Sequence, residues 1–474
     1  MEEHQLGKIF SAYADDGTVD GHIRPQQAKH MLRDAGAEPS DENASAIVAA
    51  IDTGDHGKIS FHQLKAAVDA AAESVDRRVL PIFATLTLTF TSQGVQFPVL
   101  PQLARDLGLS AADLGFVSAS NSLARLLTNM PFSMLAERIG RRPLLIAGPA
   151  IGAVGMAGFS FSNDLLHLAV ANGFIGVGMA CSMAGASLYL SDIATPRNRA
   201  QTTAPILQSA LIGFSIGPAI GGTLSEFFGL HLPFAMCSGG LISASIAAAF
   251  LLPETLHEAQ RRRRRANTAA GNAETSQGTA YELLNRPALQ GLHAIVFMNG
   301  FSQGAMPVSV ILFALEALSF SSMELGAMLT ANVLLMTIVS HPATVLSDRL
   351  ESRKTLMTPA LLASAAFKAL LPLATTQFQF TCFMSVSAVA SAVSMPSISP
   401  LFLDYTSEAE RAKALAMRQM SQDVGALIGA SLMGIVASSM GTAAAINITA
   451  ALQLISAGFF AQRVPSKRIL NKNS

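Results

Sequence analysis

Three short patterns in this chain occur twice, in the same order in each half of the sequence. They are Ser-Gln-Gly, an acid followed by Arg, and an acid followed by Arg-Ala and three spaced glycines. Their positions are 92–94 and 302–304, 137–138 and 348–349, and 192–222 and 404–434. Most of the intervening sequence is apolar. We therefore predict two related membrane units joined head to tail, an organisation that lets two halves tilt about a central site and is typical of secondary transporters.

The composition excludes an ordinary soluble domain. Charged residues make up 14% of the 474 residues and hydrophobic residues 50%, with a mean hydropathy of +0.40, whereas soluble chains carry about 25% charged residues. Positive and negative charges balance, so no nucleic-acid partner is expected. The three cysteines lie in apolar stretches and are expected to be buried, without a disulfide or a metal.

The apolar stretches predict an all-α fold, a twelve-span membrane bundle of two six-helix repeats preceded by a small helical domain. A helix needs roughly 20 apolar residues to cross a bilayer. The predicted spans are 80–103, 111–134, 143–163, 165–190, 202–224, 231–252, 288–315, 323–345, 356–374, 378–403, 414–437 and 441–462.

Basic residues mark every second loop. They precede the first span and follow each even-numbered span, and Arg105 is the exception in the alternate loops. Because Lys and Arg accumulate on the cytosolic side of membrane proteins, both termini are predicted to be cytosolic. The polar stretch 254–286 contains the run Arg261–Arg265. It is predicted to be a flexible linker whose arginines contact anionic lipid of the bilayer.

Residues 1–75 are polar and contain two helix–loop–helix patterns. The loops run over 16–27 and 52–63, with glycine at position six and isoleucine at position eight of each. These features resemble a paired EF-hand domain, in which the two isoleucines would pair across the loops. The resemblance implies metal ligands at Asp16, Thr18, Asp20 and Gln27, and at Asp52 in the second loop.

These calcium ligands are poor. Both loops end in Gln, at Gln27 and Gln63, where a calcium loop uses a bidentate Glu. We expect weak calcium binding at the first loop and little or none at the second. Two interpretations stay open: a degenerate helical pair kept for packing or protein contacts, and a calcium sensor that gates transport.

The polar loop 133–142 resembles the signature loop between the second and third spans of the major facilitator superfamily, with Glu137 in place of the usual Asp. The resemblance implies a cytosolic gate in which Asp192 pairs with the loop arginines and Asp404 with Arg349. The alternative is that these charges only set the topology. The predicted gate comprises Glu137, Arg138, Gly140, Arg141, Arg142, Asp192, Asp348, Arg349 and Asp404.

The string 213–222 resembles the fifth-span antiporter motif of drug–proton exchangers in the same superfamily. Glycines four residues apart let helices approach closely, and a proline bends the helix. The resemblance implies export by exchange rather than uptake. The motif residues are Gly213, Gly217, Pro218, Gly221 and Gly222.

Asp423 is the carboxylate that lies deepest within a predicted span, and we predict it to be the proton carrier. A structural ion pair and a helix-end contact are the alternatives, and Arg418 is its expected modulator. Asn172 stands where exporters of the family often carry an intramembrane Arg. Asn121 and Arg125 belong to a polar stripe on the second span.

Four amides form repeat mates: Gln93 and Gln96 in the first span, and Asn299 and Gln303 in the seventh. The family lines its cavity with spans one, four, seven and ten, so the resemblance implies that these amides contact substrate. Interhelical hydrogen bonds are the alternative. Lys368 is expected to reach the outer membrane interface.

The sequence shows no phosphate loop, metal-ligand spacing or activated nucleophile, so no enzyme is expected. The predicted function is proton-coupled export of a small organic solute by a monomeric transporter. The alternatives are a metabolite uniporter or symporter, and a non-transporting receptor or scaffold that senses calcium. The predicted segments are an EF-hand-like cytosolic module at 1–75, a six-span half at 79–253, the linker at 254–286, a second half at 287–463 and a cytosolic tail at 464–474.

Overall fold

The computed structural model of the protein describes most of the chain, and contacts group it into two compact units. The smaller unit takes the described residues of Met1–Val79, Tyr189–Ala204 and Thr255–Thr268. The larger takes those of Leu80–Leu188, Pro205–Glu254 and Ala269–Ser474. The described residues are 10–14, 22–34, 48, 51, 59–73, 76–194, 198–256, 283, 285–349, 353–407 and 410–465.

The amino-terminal part of the smaller unit contains two short strands that pair with each other. β1 (His22–Ile23) runs antiparallel to β2 (Ile59–Ser60), and their isoleucines lie opposite each other as predicted. α1 (Pro25–Asp34) and α2 (Phe61–Glu73) follow these strands. Each strand is only two residues long, and the described chain is otherwise mostly helical. The buried cluster around the isoleucines contains Phe10, Ala28, Met31, Leu32, Val48, Ile51 and Leu64.

Long helices make up most of the remaining described chain. The first six are α3 (Val79–Asp106), α4 (Ala111–Ile139), α5 (Arg142–Ser160), α6 (Leu165–Ile193), α7 (Arg199–Phe228) and α8 (Leu232–Leu251). The others are α9 (Pro287–Ala305), α10 (Leu312–Ala317), α11 (Ser322–Arg349), α12 (Arg353–Leu370), α13 (Gln377–Ser394), α14 (Ile398–Asp404), α15 (Arg411–Met440) and α16 (Thr442–Arg463). Their bounds lie within a few residues of the predicted spans.

Within the described residues, 10 helical stretches are long and apolar enough to cross a membrane. α3 and α4, although 28 and 29 residues long, are not among these stretches. α4 carries Asp113, Arg125 and Glu137, and such side chains lower its hydropathy. The two further spans of the predicted twelve therefore stay a prediction.

Three helices of the second half change their hydrogen-bond pattern at a proline-containing turn. α9 continues into α10 through a π-helical turn at Pro307–Ile311. α12 ends in a 3-10 turn at Leu371–Leu373, and α13 reaches α14 through another at Met395–Ser397. Because proline donates no backbone N–H, each helix must rearrange its ladder there. π-helical turns within membrane helices often mark functional positions.

Hydrophobic packing in the larger unit joins helices from both halves of the repeat. One buried cluster includes Leu103 of α3, Phe159 of α5, Phe301 of α9 and Met433 of α15. Cys382 is exposed, so the expectation that every cysteine is buried is wrong. An apolar stretch of a membrane helix includes a face that points away from the protein core, and sequence alone does not separate the two faces.

Candidate functional site

A cavity of about 370 Å³ lies among α3, α7, α9, α11, α12, α13 and α16. Its wall is mainly apolar and includes Phe97, Phe214, Met306, Met336, Met384 and Met395. The main polar groups in the wall are Asn299, Ser302, Gln303, Asn332, Lys368 and Thr449. A cavity of this size, apolar with a few convergent polar groups, is typical of a site for a small organic molecule.

Two of the four predicted substrate amides line this cavity. Asn299 and Gln303 lie in the wall, whereas Gln93 and Gln96 do not. α3 contributes Phe97 to the wall, and contact of the four amides with substrate stays a prediction. Gln93 and Gln303 occupy equivalent positions of the repeat, but of these two Gln303 alone lines the cavity. The Nε2 of Gln96 is buried and has no hydrogen-bond partner among the described residues.

Lys368 of α12 points into the polar part of the cavity wall. Its Nζ donates to Gln453 Oε1 at 2.8 Å and to Ser302 Oγ at 3.2 Å. The expectation that Lys368 reaches the outer interface is therefore wrong. Its position near a helix end suggested that reach, but α12 turns this side chain toward α9 and α16. The sequence reasoning missed Lys368 as a cavity residue.

Asp423 of α15 forms an ion pair with Arg125 of α4. Arg125 Nη2 lies 2.7 Å from Asp423 Oδ1, and the Asp423 side chain is only 2% exposed. Asn129 Nδ2 donates to Oδ2 at 2.7 Å, and Gln419 Nε2 donates to Oδ1 at 3.3 Å. The contact joins the two halves of the repeat. The expected modulator was Arg418, but the hydrogen-bonded guanidinium is that of Arg125.

Asn121 and Asn172 hydrogen-bond each other between α4 and α6. Asn121 Nδ2 donates to the backbone oxygen of Asn172 at 3.2 Å and to its Oδ1 at 3.3 Å. Asn172 Nδ2 donates to the backbone oxygen of Val117 at 2.7 Å. Asn172 is almost fully buried. These hydrogen bonds join α4 to α6 within the first half.

Glu254, which follows α8, holds the loop between α4 and α5. Its Oε1 accepts the Arg141 N–H at 3.0 Å, and its Oε2 accepts the Arg142 N–H at 3.1 Å. Gly140 has a φ of 109°, and a Cβ there would collide with the Glu254 carboxylate. Glu254 is thus the acid at the N-terminus of α5, and Glu137 is exposed.

The two loop guanidinium groups cap the carboxyl ends of neighbouring helices. Arg141 Nη1 donates to the Ala136 carbonyl in the last turn of α4 at 3.0 Å. Arg142 Nη2 donates to the Ala249 carbonyl in the last turn of α8 at 2.5 Å. The Ala136 carbonyl also accepts the Gly140 N–H at 3.2 Å, and carbonyls in the last turn of a helix commonly take such additional partners. The loop therefore ties α4, α5 and α8 together.

Other predicted gate residues are only partly described. Arg138 and Asp404 are exposed. Asp192 Oδ2 accepts a hydrogen bond from Thr255 Oγ1 at 3.1 Å. The side chains at 348–349 lie outside those that the structure describes. The predicted pairing of Asp192 and Asp404 with arginines stays a prediction.

At the start of α9, Arg286 forms a bidentate ion pair with Glu410. Nη2 lies 2.7 Å from Oε1, and Nη1 lies 3.0 Å from Oε2. The Arg286 guanidinium lowers the pKa of Glu410 from its ordinary value of 4.5 to about 2. This pair ties the start of α9 to the start of α15. It was not predicted, because the sequence shows no pattern linking positions so far apart.

α7 meets α3 and α11 at glycines of the predicted antiporter motif. A Cβ on Gly213 or Gly217 would lie 2.5 Å from atoms of α3. A Cβ on Gly222 would lie 3.2 Å from the Cα of Gly326 in α11. The predicted close approach of helices is confirmed, and the α7–α11 contact joins the two halves. Of the other motif residues, Gly221 meets Val95 of α3, and Pro218 lines the cavity.

The repeat glycines of α15 make equivalent contacts. Gly425 and Gly429 abut the backbone of α9. A Cβ on Gly434 would lie 2.9 Å from the Cα of Gly115 in α4. This α4–α15 contact is the repeat counterpart of the α7–α11 contact. The two halves therefore meet through two equivalent pairs of glycines.

The amino-terminal glutamines cap helices. Gln27 Oε1 accepts the Arg24 N–H at 2.7 Å, and Gln63 Oε1 accepts the Ser60 N–H at 3.0 Å. These bonds satisfy donors at the starts of α1 and α2. Among the described residues, no group of three His, Cys, Asp or Glu side chains could hold a metal. The remaining predicted calcium ligands lie outside the described residues: Asp16, Thr18, Asp20 and Asp52.

A sequence profile of the Major Facilitator Superfamily matches residues 82–292 and 292–474. An uncharacterized MFS-type transporter from Methanocaldococcus jannaschii is 22% identical over 382 residues, which cover 80% of this chain and 96% of the relative. Multidrug resistance protein 2 from Bacillus subtilis is 22% identical over 258 residues, which cover 54% of this chain and 63% of the relative. None of these three matches supports the EF-hand interpretation of residues 1–75.

Solved structures share the fold. A bacterial homologue of the human lysosomal transporter Spinster, in an inward-facing and occupied conformation, has a TM-score of 0.70 and 14% identity, covering 82% of this chain and 96% of that chain. The nucleoside transporter NupG has a TM-score of 0.67 and 16% identity, and the match covers 82% of this chain and 100% of that chain. At this identity the likeness concerns the fold alone.

Proposed function

Because the chain belongs to the Major Facilitator Superfamily, whose members carry small solutes across membranes, we propose that it exports an amphipathic organic solute in exchange for protons. The family and the apolar helices make it a multi-pass membrane protein. The direction of transport, the coupling to protons and the class of solute belong to the proposal.

The ion pair between Asp423 and Arg125 carries the proposal. An ionised Asp423 attracts Arg125 and holds α15 against α4. A proton on Asp423 removes the negative charge and with it the Coulombic attraction between Asp423 and Arg125. By linkage, protonation then favours any arrangement in which these helices separate.

The same two helices contain a second contact that can act as a pivot. Gly115 of α4 and Gly434 of α15 meet closely. Gly434 lies 11 residues beyond Asp423 in one continuous helix, which is about 16 Å at 1.5 Å per residue. The glycine contact and the ion pair of Asp423 with Arg125 therefore lie at different heights along the two helices. The two halves can tilt about the glycine contact while the ion pair opens. Alternating access requires such a tilt.

Export and an amphipathic solute are supported by different observations. The relative from B. subtilis is named a multidrug resistance protein. The glycines of the predicted antiporter motif pack α7 against α3 and α11, and Pro218 of that motif lines the cavity. The cavity wall is rich in Phe and Met, which suit an apolar molecular surface better than a sugar.

The proposal is tested in proteoliposomes with an imposed pH gradient, using a panel of amphipathic drug-like compounds. We expect gradient-driven flux in the wild type and no such flux in Asp423→Asn. The variant should retain part of the exchange of one substrate molecule for another, because that exchange needs no proton. Glu226→Gln, a substitution of an exposed carboxylate on α7, is the matched control and should keep the flux. Gradient-driven flux that survives Asp423→Asn would instead favour a uniporter or a symporter coupled elsewhere. No flux for any compound would favour a receptor or scaffold.

The predicted topology and gate form part of this proposal. With both termini in the cytosol, the loop held by Glu254 and the pair of Arg286 with Glu410 lie on the cytosolic side. These contacts would hold helix ends together on that side, and the predicted charges of Asp192 and Asp404 would complete the gate. Labelling of single cysteines placed at residues 2 and 262 tests the topology, since both should be protected in right-side-out vesicles.

A calcium-sensing amino-terminal module is the second candidate. The pairing of β1 with β2 and the buried cluster around them support a helix–loop–helix pair. The capping bonds of Gln27 and Gln63 argue against strong calcium binding, because they occupy the amide oxygens that would replace the bidentate Glu. Calcium titration of the full chain, with Asp16→Ala and Asp20→Ala as matched variants, tests this. A heat signal absent from both variants would support calcium binding at the first loop.

A further inference from the structure

The described wall of the cavity carries a positive charge and no negative charge. Lys368 is the charged residue in the described cavity wall, which contains no Asp, Glu, Arg or His. A lysine inside a membrane protein is expected to face a partner of opposite charge or water. The wall supplies a cation and no protein anion to match it.

The hydrogen bonds of Lys368 do not neutralise its charge. An ammonium group has three donors, and two are used on the neutral oxygens of Ser302 and Gln453. Neither oxygen carries a formal charge. The group therefore keeps both an uncompensated charge and donor capacity at the cavity wall.

The side-chain amide of Gln453 presents its oxygen to the ammonium group of Lys368. Gln453 Nε2 donates to Ser364 Oγ at 3.2 Å, and this bond directs Oε1 of the same amide toward Nζ of Lys368. Ser364 Oγ also lies 2.8 Å from Ser391 Oγ and 3.3 Å from Ser387 Oγ. Both of these serines line the cavity. A chain of neutral groups thus holds Gln453 in position to accept from Lys368.

None of the described acidic side chains lines the cavity. Asp423 is held by Arg125. Glu316 of α10 and Glu324 of α11 are exposed and do not line the cavity. An unmatched charge in a site of low polarity is costly. A bound anion would remove that cost.

We infer that Lys368 binds the anionic group, such as a carboxylate, of an organic solute whose apolar body rests against the Phe and Met side chains of the cavity. The inference rests on the proposed function only in taking this cavity as the solute site. Asn299 and Gln303 also line the cavity. The Oε1 of Gln303 accepts from Gln422 Nε2 at 3.3 Å, so its amide can still donate to a solute. Neutral solutes of the same shape would lack the contact with Lys368.

The test is a binding measurement without any gradient, on purified full-length protein in detergent. The probes are a graded panel of aryl carboxylates with their amides, beginning with 2-naphthylacetate and 2-naphthylacetamide. Each pair shares one apolar body and differs in charge. We expect at least one carboxylate to bind about tenfold or more tightly than its amide, because a charge-assisted hydrogen bond exceeds a neutral one.

Three variants make the test specific. Lys368→Gln should abolish the preference for the carboxylate while leaving amide binding within about twofold, and Lys368→Arg should retain the preference. Lys354→Gln is the matched control, because Lys354 lies on the same helix but donates to the Val464 carbonyl and does not line the cavity. Thermal unfolding of each variant without probe verifies that it is folded.

The outcomes separate this inference from the proposed function. No carboxylate preference across the panel, or a preference that persists in Lys368→Gln, overturns the role of Lys368. Asp423→Asn should leave the carboxylate preference intact while removing proton-driven flux. The two tests can therefore give opposite results: the proton-coupled export can fail while the binding role of Lys368 holds, or the reverse.

Discussion

Arg125 and Asp423 lie 298 positions apart in sequence, yet their side chains meet at 2.7 Å. The pair connects α4 with α15 and so connects the two repeats. The Asp423 side chain is 2% exposed and that of Arg125 is 25% exposed. Because the carboxylate is buried and the guanidinium partly reaches solvent, removing Arg125 should harm the protein more than removing the charge of Asp423.

A double-mutant cycle on this pair is the first prediction. Arg125→Met should lower the free energy of unfolding by about 3 kcal/mol, because it leaves a buried carboxylate without its cation. Asp423→Asn should cost less, and the double variant should recover part of the loss. Asn129→Ala removes one hydrogen bond and should cost about 1 kcal/mol. Additive losses in the double variant, measured by thermal unfolding, would show that the pair is not coupled.

The second prediction concerns the crossing of α7 and α3. A Cβ at Gly217 would lie 2.5 Å from the Thr91 carbonyl oxygen, so Gly217→Ala should force the helices apart and cost about 1–3 kcal/mol. Gly239→Ala on α8 is the control, because a Cβ there meets nothing within 4 Å. Thermal stability and flux should fall for the first variant only. Equal behaviour of both variants would contradict the close packing.

The third prediction tests the helix-start role of Glu254. Glu254→Gln keeps one acceptor oxygen but loses the charge that meets the N-terminus of α5, and should cost about 1 kcal/mol. Thermal unfolding of the purified protein measures the loss. Glu316→Gln, at an exposed position on α10, should change nothing. An unchanged melting temperature for Glu254→Gln would mean that the carboxylate is dispensable for the loop.

The fourth prediction is a pH dependence from the pair of Arg286 with Glu410. The pKa of Glu410 is lowered in the folded protein from 4.5 to about 2, so the unfolded state binds the proton more readily. The stabilisation is therefore fully present above about pH 4.5 and is lost as the pH falls toward 2. Melting curves of wild type and Glu410→Gln should differ by a constant amount from pH 7 to 5 and converge below that range. A difference that is independent of pH would contradict the pair.

The helices themselves followed from the sequence. Runs of apolar residues gave their approximate bounds, because a helix in hydrocarbon must satisfy its own backbone and be long enough to cross. The glycine spacing on α7 and α15 predicted close helix contacts, since only a residue without a Cβ permits them. The resemblance to the family also pointed to Asn299 and Gln303, which line the cavity, and their contact with substrate stays a prediction.

The partners of the polar side chains could not be predicted in this way. Helical periodicity tells which residues share a face, but it does not tell which helix that face meets. The structure alone brings Arg125 to Asp423, Glu254 to the start of α5, and Lys368 into the cavity wall. The sequence by itself determined where the chain forms long helices and where these can pack closely, because both are local properties. The rotation of each helix against its neighbours decided which charges pair and which charge is left facing the cavity, because that rotation depends on packing along the whole bundle.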